Sequence, residues 1–233
     1  MTIRCITFDL DDTLWAVGPV IVRAEREFYA WLGRRCPRIT GAFSLDELTA
    51  HRRQWMHRFP DQHHDLTGLR KRWLGHVFEE FGYDDVSVEM AFRVFWELRN
   101  EVELFEEAPA TIERLLERFS LGVITNGNAC VHHIGIGHWF DFVVSSEGAG
   151  HSKPAAQIFH AALEHAGVAP RQVVHVGDDP TNDVLGASGV GMRTVWYNPE
   201  RAPWPGGSAP EQMPDQVINS LHELDGAIAR IAG

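Results

Sequence analysis

The feature that most constrains the fold is a series of short, largely apolar runs that each end abruptly in polar residues or glycine. The runs are Ile3–Leu10, Leu121–Ile124, Phe142–Val144, Val173–Val176 and Met192–Trp196. Such runs, with helical stretches between them, are typical of a parallel sheet covered on both faces. The helical stretches are Pro109–Arg118, Pro154–Ala166 and Asn182–Ser188. The pattern predicts an α/β fold built on a doubly wound parallel sheet.

Between residues 16 and 100 the chain has a different character. It is rich in Arg, His, Trp and Glu, and apolar residues recur at helical spacing, for example Val88, Phe92, Phe95 and Trp96. We therefore expect an all-helical cap domain, residues 16–100, inserted into a catalytic core of residues 1–15 and 101–233. The Pro- and Gly-rich stretch Asn198–Pro214 predicts a surface loop, and a last strand and helix are expected within Gln216–Ile231.

Composition narrows the class of partner. The net charge of -11 argues against a nucleic-acid partner, but not against a phosphorylated metabolite, because a metal ion inverts the local field. No apolar run approaches the roughly 20 residues of a membrane-spanning helix, and the amino terminus lacks a secretory-signal layout. Cys5, Cys36 and Cys130 are scattered, as is typical of reduced thiols. We expect a cytoplasmic protein without a membrane partner, as a monomer or a homodimer.

Two clusters of acidic residues lie at the ends of two predicted strands. The first contains Asp9, Asp11 and Asp12, and the second contains Asp178, Asp179 and Asp183. Reactive groups of open α/β sheets collect outside the carboxyl ends of the strands, so we expect the clusters to meet. Neighbouring carboxylates repel each other unless a cation lies between them, and Mg²⁺ prefers oxygen ligands. A single Asp at a strand end commonly caps a turn, but two clusters favour a magnesium site.

Two further positions offer groups for binding a phosphoryl anion. Thr125-Asn126-Gly127-Asn128 follows a predicted buried strand and provides a hydroxyl and backbone N–H groups. Lys153 is one of only two lysines among 21 Lys and Arg residues, the other being Lys71. A lysine supplies a compact point charge where arginine would impose a wide planar fork. We interpret Lys153 as neutralising a nucleophile and phosphoryl oxygens.

In this order, four motifs resemble those of the haloacid dehalogenase superfamily. They are Asp9-Leu10-Asp11-Asp12-Thr13, Thr125, Lys153-Pro154 and the segment Gly177–Asp183. The resemblance covers the whole chain, and the helical insertion is similar to the cap domain of that family. A narrower resemblance, to bacterial FMN and riboflavin-pathway phosphatases, rests on Gly18–Ile21, His64–Thr67 and Ile124–Ala129.

This resemblance implies a magnesium-dependent phosphatase that acts on a small phosphorylated metabolite, with FMN or a riboflavin-pathway phosphate as the favoured substrate. Asp9 would form an aspartyl-phosphate, and Asp11 would serve first as general acid and then as general base. Magnesium would be held by Asp9, Asp11 through its backbone carbonyl, and Asp178. The phosphoryl group would contact Thr125, Asn126 and Lys153, and the supporting residues would be Thr13, Asp179 and Asp183.

Asp11 is the residue that best distinguishes a phosphatase from the other activities of the superfamily. Dehalogenases of the family lack a carboxylate two residues after the nucleophile, because a departing halide needs no proton. A phosphotransferase or mutase would share Asp11 and stays an alternative. A non-catalytic phosphometabolite-binding protein has no need of a proton shuttle, and Asp11 disfavours it.

Three residues outside the motifs have two possible roles each, and a fourth has one. Trp15 would either stack on an aromatic ring of the substrate or pack inside the protein. Arg23 and Arg70 would either contact the substrate or form surface ion pairs. His175 lies in a predicted strand and is interpreted as a core residue.

Overall fold

The computed structural model describes residues 2–205 and 213–233, and the chain in it forms two units. The first unit comprises Met1–Ala16 and Glu103–Gly233, and the second comprises Val17–Val102. The division drawn from the sequence placed the boundaries after residues 15 and 100. Among residues 2–205 and 213–233, no helix is both long and apolar enough to cross a membrane.

A six-stranded parallel sheet forms the centre of the first unit, and the predicted α/β class is confirmed. The strands are β1 (Cys5–Phe8), β2 (Ser120–Thr125), β3 (Phe142–Ser145), β4 (Val173–Gly177), β5 (Arg193–Tyr197) and β6 (Gln216–Ile218). Their order is β3-β2-β1-β4-β5-β6, so the chain builds outward from β1 in one direction and then reverses at β4. Such a reversal creates a crevice at the carboxyl ends of β1 and β4, where α/β proteins bind ligands.

The second unit, all of whose residues are described, contains helices and no strand. Its helices are α1 (Val17–Arg35), α2 (Pro37–Ala42), α3 (Leu45–Met56), α4 (Leu66–Glu80) and α5 (Val88–Arg99), with a 3₁₀ turn at Pro60–Gln62. Helix α3 begins at a capping box, in which Ser44 accepts a hydrogen bond from the Glu47 amide and Glu47 bonds back to Ser44. Apolar faces of the helices pack into a cluster that includes Phe28, Trp73 and Phe95.

Two arginines of this unit differ in their surroundings. Arg70 is buried, its side chain is 3% exposed, and it donates two hydrogen bonds to Glu25 at 2.9 and 3.0 Å. Arg52 also pairs with Glu25, at 2.7 Å. Arg70 therefore has neither role considered from the sequence, because it forms a buried ion pair. Arg23 forms the expected surface ion pair, 3.7 Å from Glu101.

The helices of the first unit flank the sheet. They are α6 (Ala108–Leu116), α7 (Val131–Ile134), α8 (Ser146–Ala149), α9 (Ala156–Ala166), α10 (Gly186–Gly189) and α11 (Leu224–Ala232), with 3₁₀ turns at Gly137–Trp139, Pro170–Gln172 and Leu221–Glu223. The helix expected at Asn182–Ser188 is a π-helical segment, Pro180–Leu185, followed by α10. Described residues of the expected loop, 198–205 and 213–214, contain neither helix nor strand, whereas 206–212 lie outside the described residues.

Candidate active site

The topology of the sheet brings the predicted site residues to one place. Asp9 follows β1, Asn126 follows β2 and Asp178 follows β4, and β1 lies between the other two strands. A cavity of about 170 Å³ opens there. Its lining residues are Asp9, Asp11, Thr125, Asn126, Gly127, Lys153, Asp178, Asp179, Asn182 and Asp183. Of the residues predicted for the site, Thr13 alone is outside this lining, and its hydroxyl donates to Asp178 Oδ1 at 3.2 Å.

A tight turn follows Asp9 and sets the direction of Asp11. The Leu14 amide donates to the Leu10 carbonyl at 2.8 Å, and the Asp12 amide donates to the Trp15 carbonyl at 2.7 Å. Asp12 has a φ of 58°, a left-handed conformation that Asp adopts more readily than most residues. Trp15 is fully buried, and its indole Nε1 donates to Asp11 Oδ1 at 2.9 Å. The structure therefore assigns Trp15 to the interior and excludes stacking on a substrate ring.

Lys153 is the electrostatic centre of the cavity. Its Nζ donates to Asp9 Oδ1 at 2.7 Å, to Asp183 Oδ1 at 2.6 Å and to the Ile124 carbonyl at 2.9 Å. Burial alone would lower the pKa of Lys153, but Asp183 and Asp9 outweigh that effect and raise the pKa above its usual range. The ammonium is therefore charged at neutral pH, and it neutralises Asp9 from one side.

Asn126 holds the segment that carries Lys153. Its Oδ1 accepts from the Lys153 amide at 2.7 Å, and its Nδ2 donates to the Lys153 carbonyl at 3.0 Å. Both ends of the side-chain amide thus bind backbone, which gives Asn126 a positioning role, and its contact with a phosphoryl group stays a prediction. Thr125 is buried, and its Oγ1 accepts from the Gly127 amide at 3.0 Å, which leaves the hydroxyl proton for a ligand oxygen.

The acidic residues form a group that fits a divalent cation. Carboxylate oxygens of Asp9, Asp178 and Asp183 lie within 4.8 Å of one another. Burial, followed by the charges of Asp183 and Asp12, raises the pKa of Asp178 to about 7. Burial also raises the pKa of Asp9 well above its usual value, against the opposing charge of Lys153. Such crowding of buried carboxylates is relieved by a hard cation that prefers oxygen, as Mg²⁺ does.

Asp183 belongs to this group but has other partners for both oxygens. Besides Lys153, its Oδ1 is 3.1 Å from His175 Nε2, and its Oδ2 accepts from the Asp179 amide at 3.0 Å. Burial would raise the pKa of Asp183, but Lys153 and His175 lower it below its usual range. Asp183 is therefore a fixed anion that orients Lys153, which leaves Asp9 and Asp178 as the carboxylates available to a metal.

His175 is buried, as expected, but it also extends the charged network. Its Nδ1 lies 2.9 Å from Thr7 Oγ1, and its Nε2 contacts Asp183. Burial lowers the pKa of His175, so the ring is neutral. The sequence did carry a signal for this link, because Thr7 and His175 are polar residues at paired register positions of two otherwise apolar strands.

Asp179 and Trp196 hold the loop that carries Asp178. Asp179 Oδ1 accepts from the amides of Thr181 and Asn182, at 2.8 and 2.7 Å, and so caps the π-helical segment. The indole of Trp196 donates to the Asp178 carbonyl at 2.7 Å. Asp179 thus has a supporting role in the geometry of the site.

A second group of metal-ligand side chains lies in the helical unit, where His51, His76 and Glu80 have ligand atoms within 4.8 Å of one another. His51 Nδ1 accepts a hydrogen bond from the Trp73 indole at 3.2 Å, and an indole nitrogen is only a donor. Because Nδ1 of His51 already has the indole as its partner, we propose no metal at this group.

A doubly wound sheet with a carboxylate pair after its first strand and a buried lysine beside that pair defines a hydrolase class. The chain belongs to the haloacid dehalogenase-like hydrolases, whose family model matches residues 3–191. The resemblance drawn from the motifs is thereby confirmed.

Particular relatives carry different names. The Escherichia coli protein named 5-amino-6-(5-phospho-D-ribitylamino)uracil phosphatase YigB is 33% identical over 202 residues, which cover 85% of this chain and 84% of that protein. A structure titled 2-haloacid dehalogenase, from Pseudomonas syringae, is 38% identical with a TM-score of 0.90 and covers 98% of this chain and 99% of its own. A HAD phosphatase from Thermococcus onnurineus is 25% identical with a TM-score of 0.71, covering 97% of this chain and 98% of its own.

Proposed function

We propose that the protein is a magnesium-dependent phosphomonoester hydrolase that acts on a small phosphorylated metabolite. The observation that carries the proposal is the convergence of Asp9, Asp11 and Lys153 on one cavity of about 170 Å³. This cavity suits a phosphoryl group and offers a nucleophile, a proton carrier and a fixed positive charge. The proposed enzyme acts in the cytoplasm, as a monomer or a homodimer, and the helical unit serves as its cap domain.

The reaction proceeds through a phosphoryl group on Asp9. Lys153 holds Oδ1 of Asp9, so the other carboxylate oxygen attacks phosphorus while the bond from phosphorus to the leaving oxygen breaks. Protonated Asp11 gives its proton to that leaving oxygen, which departs as an alcohol. Water then attacks the same phosphorus, Asp11 takes a proton from the water, and the bond to Asp9 breaks. Inorganic phosphate leaves, and both carboxyl groups return to their starting states.

The remaining polar groups have defined duties in this scheme. Thr125 donates its hydroxyl proton to a phosphoryl oxygen, Lys153 neutralises the charge that develops on the phosphoryl group, and Asn126 holds Lys153 in place. Asp9, Asp178 and the backbone carbonyl of Asp11 are the proposed magnesium ligands. When bound, magnesium supplies Lewis-acid stabilisation of the phosphoryl oxygens.

Dehalogenation is the second candidate, because a structure with this fold and 38% identity carries that name. Both reactions use Asp9 as the nucleophile, so Asp9 does not separate them. Asp11 favours the phosphatase, since an alkoxide leaving group needs a proton and a halide does not. The cluster of Asp9, Asp178 and Asp183, which fits a cation, also favours the phosphatase, because a dianionic phosphoryl group needs charge neutralisation.

A riboflavin-pathway or nucleotide-like phosphate is the proposed substrate class. One support is the relative whose name specifies a phosphoribitylamino-uracil. The other is a cavity of about 620 Å³ in the first unit, which shares Asp178 with the small cavity and has Phe105, Trp196 and Tyr197 in its lining. A site of this size and aromatic character suits the ring of such a metabolite.

A substrate panel tests both levels of the proposal. Purified protein is assayed with magnesium against p-nitrophenyl phosphate, 5-amino-6-(5-phospho-D-ribitylamino)uracil, FMN, a nucleoside monophosphate and 2-chloropropionate. We expect release of phosphate from the esters and none of chloride, with the highest kcat/KM for a ring-bearing sugar phosphate. Chloride release without phosphate release would establish the dehalogenase.

The ring site has its own variant. Phe105→Leu should raise KM several-fold for the substrates that carry a pyrimidine, flavin or nucleobase ring and leave ring-free glycerol phosphate within about twofold, because one stacked ring contributes about 0.5–1.5 kcal/mol. An equal change for all substrates would contradict the assignment of the larger cavity.

A further inference from the structure

The indole of Trp15 and the carboxylate of Asp11 form a contact to which the catalytic scheme assigns no role. We infer that Trp15 is a positioning residue that holds Asp11 in the orientation needed for proton transfer. The inference rests on the proposed function, because it presumes that Asp11 is the acid and base of phosphoryl transfer. The observation behind it is separate from those that carry that function: a fully buried indole donates to Asp11 Oδ1 at 2.9 Å.

The backbone around Trp15 leaves the indole little freedom. The Trp15 carbonyl accepts from the Asp12 amide at 2.7 Å, within the turn that contains the left-handed Asp12. On the other side, Trp15 forms an antiparallel bridge to Leu104, and the Leu14 carbonyl accepts from the Phe105 amide at 2.9 Å. Trp15, which binds Asp11, is thus itself held by two segments of the chain.

The acceptor of the Trp15 indole indicates a role beyond satisfying the hydrogen-bonding need of a buried N–H group. A buried indole N–H needs one acceptor, and a backbone carbonyl is sufficient, as Trp196 shows with the Asp178 carbonyl at 2.7 Å. Trp15 instead uses the side chain that transfers the proton. A hydrogen bond to one oxygen of Asp11 restricts rotation of the carboxylate, and small misplacements of a catalytic group are costly in rate.

The kinetic test uses Trp15→Phe, which keeps a buried ring and removes the N–H group. The matched control is Trp139→Phe, another buried tryptophan of the same unit. Both variants and the wild type are assayed with magnesium on phenyl phosphate and p-nitrophenyl phosphate. These esters have similar shapes, but nitrophenolate leaves readily without a proton and phenolate does not.

We expect Trp15→Phe to lower kcat/KM for phenyl phosphate about 10- to 100-fold, which is part of the full effect of general acid catalysis. For p-nitrophenyl phosphate, kcat/KM should fall less than about threefold. Trp139→Phe should affect both esters equally. In an Asp11→Asn background, Trp15→Phe should cause no further loss, since its effect acts through Asp11. Equal losses on both esters, or a further loss in the Asp11→Asn background, would overturn the inference and leave the phosphatase intact.

A spectroscopic arm separates this inference from the proposed function. Trp15→Phe identifies the Trp15 indole signal in a ¹H–¹⁵N spectrum, and Asp11→Asn should move that signal upfield as its carboxylate acceptor becomes a neutral amide. An unmoved signal would refute the contact, whatever the enzyme hydrolyses. A moved signal in a protein that cleaves neither ester would refute the proposed function, and with it the positioning role.

Discussion

Asp178→Asn should stabilise the metal-free protein and abolish its response to magnesium. The substitution removes one negative charge from the cluster of Asp9, Asp178 and Asp183, and it keeps an oxygen that can accept a hydrogen bond from Thr13. In the wild type, burial and the charges of Asp183 and Asp12 raise the pKa of Asp178 from 3.8 to about 7. The folded state therefore retains the Asp178 proton up to about pH 7, whereas the unfolded state loses it near pH 4.

The sign of the effect follows from proton linkage. Between about pH 4 and pH 7 the folded state binds more protons at Asp178, so stability falls as the pH rises through this window. The full rise in pKa corresponds to about 4 kcal/mol. Asp178 is only partly buried, and solvent screening reduces this figure to about 1–2 kcal/mol. The asparagine side chain of the variant has no proton to lose, so the variant should escape the penalty above pH 7.

The assay is urea unfolding at pH 4.5 and pH 8, with EDTA and with excess magnesium. In EDTA, the free energy of unfolding of Asp178→Asn should exceed that of the wild type by about 1–2 kcal/mol at pH 8, and the two should nearly agree at pH 4.5. Magnesium at about 100 times its Kd should stabilise the wild type by about 2.7 kcal/mol and leave the variant unchanged. Exposed Asp84→Asn is the control. A variant less stable than the wild type in EDTA at pH 8 would refute the reasoning.

The remaining predictions concern Asp9, the metal, and two buried ion pairs. Asp9→Asn should retain less than a tenth of wild-type kcat on p-nitrophenyl phosphate, because an amide is a poor nucleophile; higher retention excludes Asp9 as the nucleophile. EDTA should abolish phosphate release, magnesium should restore it, and calcium should inhibit it through its looser geometry; full activity in EDTA contradicts the proposed cofactor. Lys153→Met should lower the free energy of unfolding by about 3–5 kcal/mol in urea titrations, because it leaves Asp9 and Asp183 buried without a cation. Arg70→Met should lower the free energy of unfolding by about 1.5–3 kcal/mol, because Glu25 loses one buried partner and keeps Arg52, and it should leave relative kcat/KM among substrates unchanged; altered selectivity at full stability would show that Arg70 contacts substrate.

Sequence reasoning was most successful where a local pattern determines a global arrangement. Apolar runs that end in polar residues mark buried parallel strands, and the sheet then gathers their carboxyl ends. For this reason the amino-acid sequence alone predicts that Asp9, Thr125 and Asp178 lie at one edge of the sheet, where they line one cavity. The sheet class follows from the same pattern, whereas the family was inferred from the resemblance of the four motifs; both are confirmed.

The contacts that were missed join residues whose proximity no periodicity encodes. Arg70 lies in an Arg-Lys-Arg run that is typical of a solvated helix face, and only Glu25, on another helix, explains its burial. The hydrogen bonds between the Asn126 side chain and the Lys153 backbone were not predicted, because Lys153 lies in a loop 27 residues further along the chain. For Trp15, packing inside the protein was one of the two expected roles, but its hydrogen bond to Asp11 was not predicted.

The most direct test of the central claim is the chemical identity of the group carried by Asp9 during turnover. The enzyme is quenched in acid while it hydrolyses p-nitrophenyl phosphate with magnesium, and peptides containing Asp9 are examined by mass spectrometry. A parallel sample contains 2-chloropropionate in place of p-nitrophenyl phosphate. The proposed mechanism predicts a phosphoryl group on Asp9 in the first sample and an unmodified Asp9 in the second. A carboxyalkyl ester on Asp9 in the second sample, or phosphate turnover with the phosphoryl group on another residue, would contradict it.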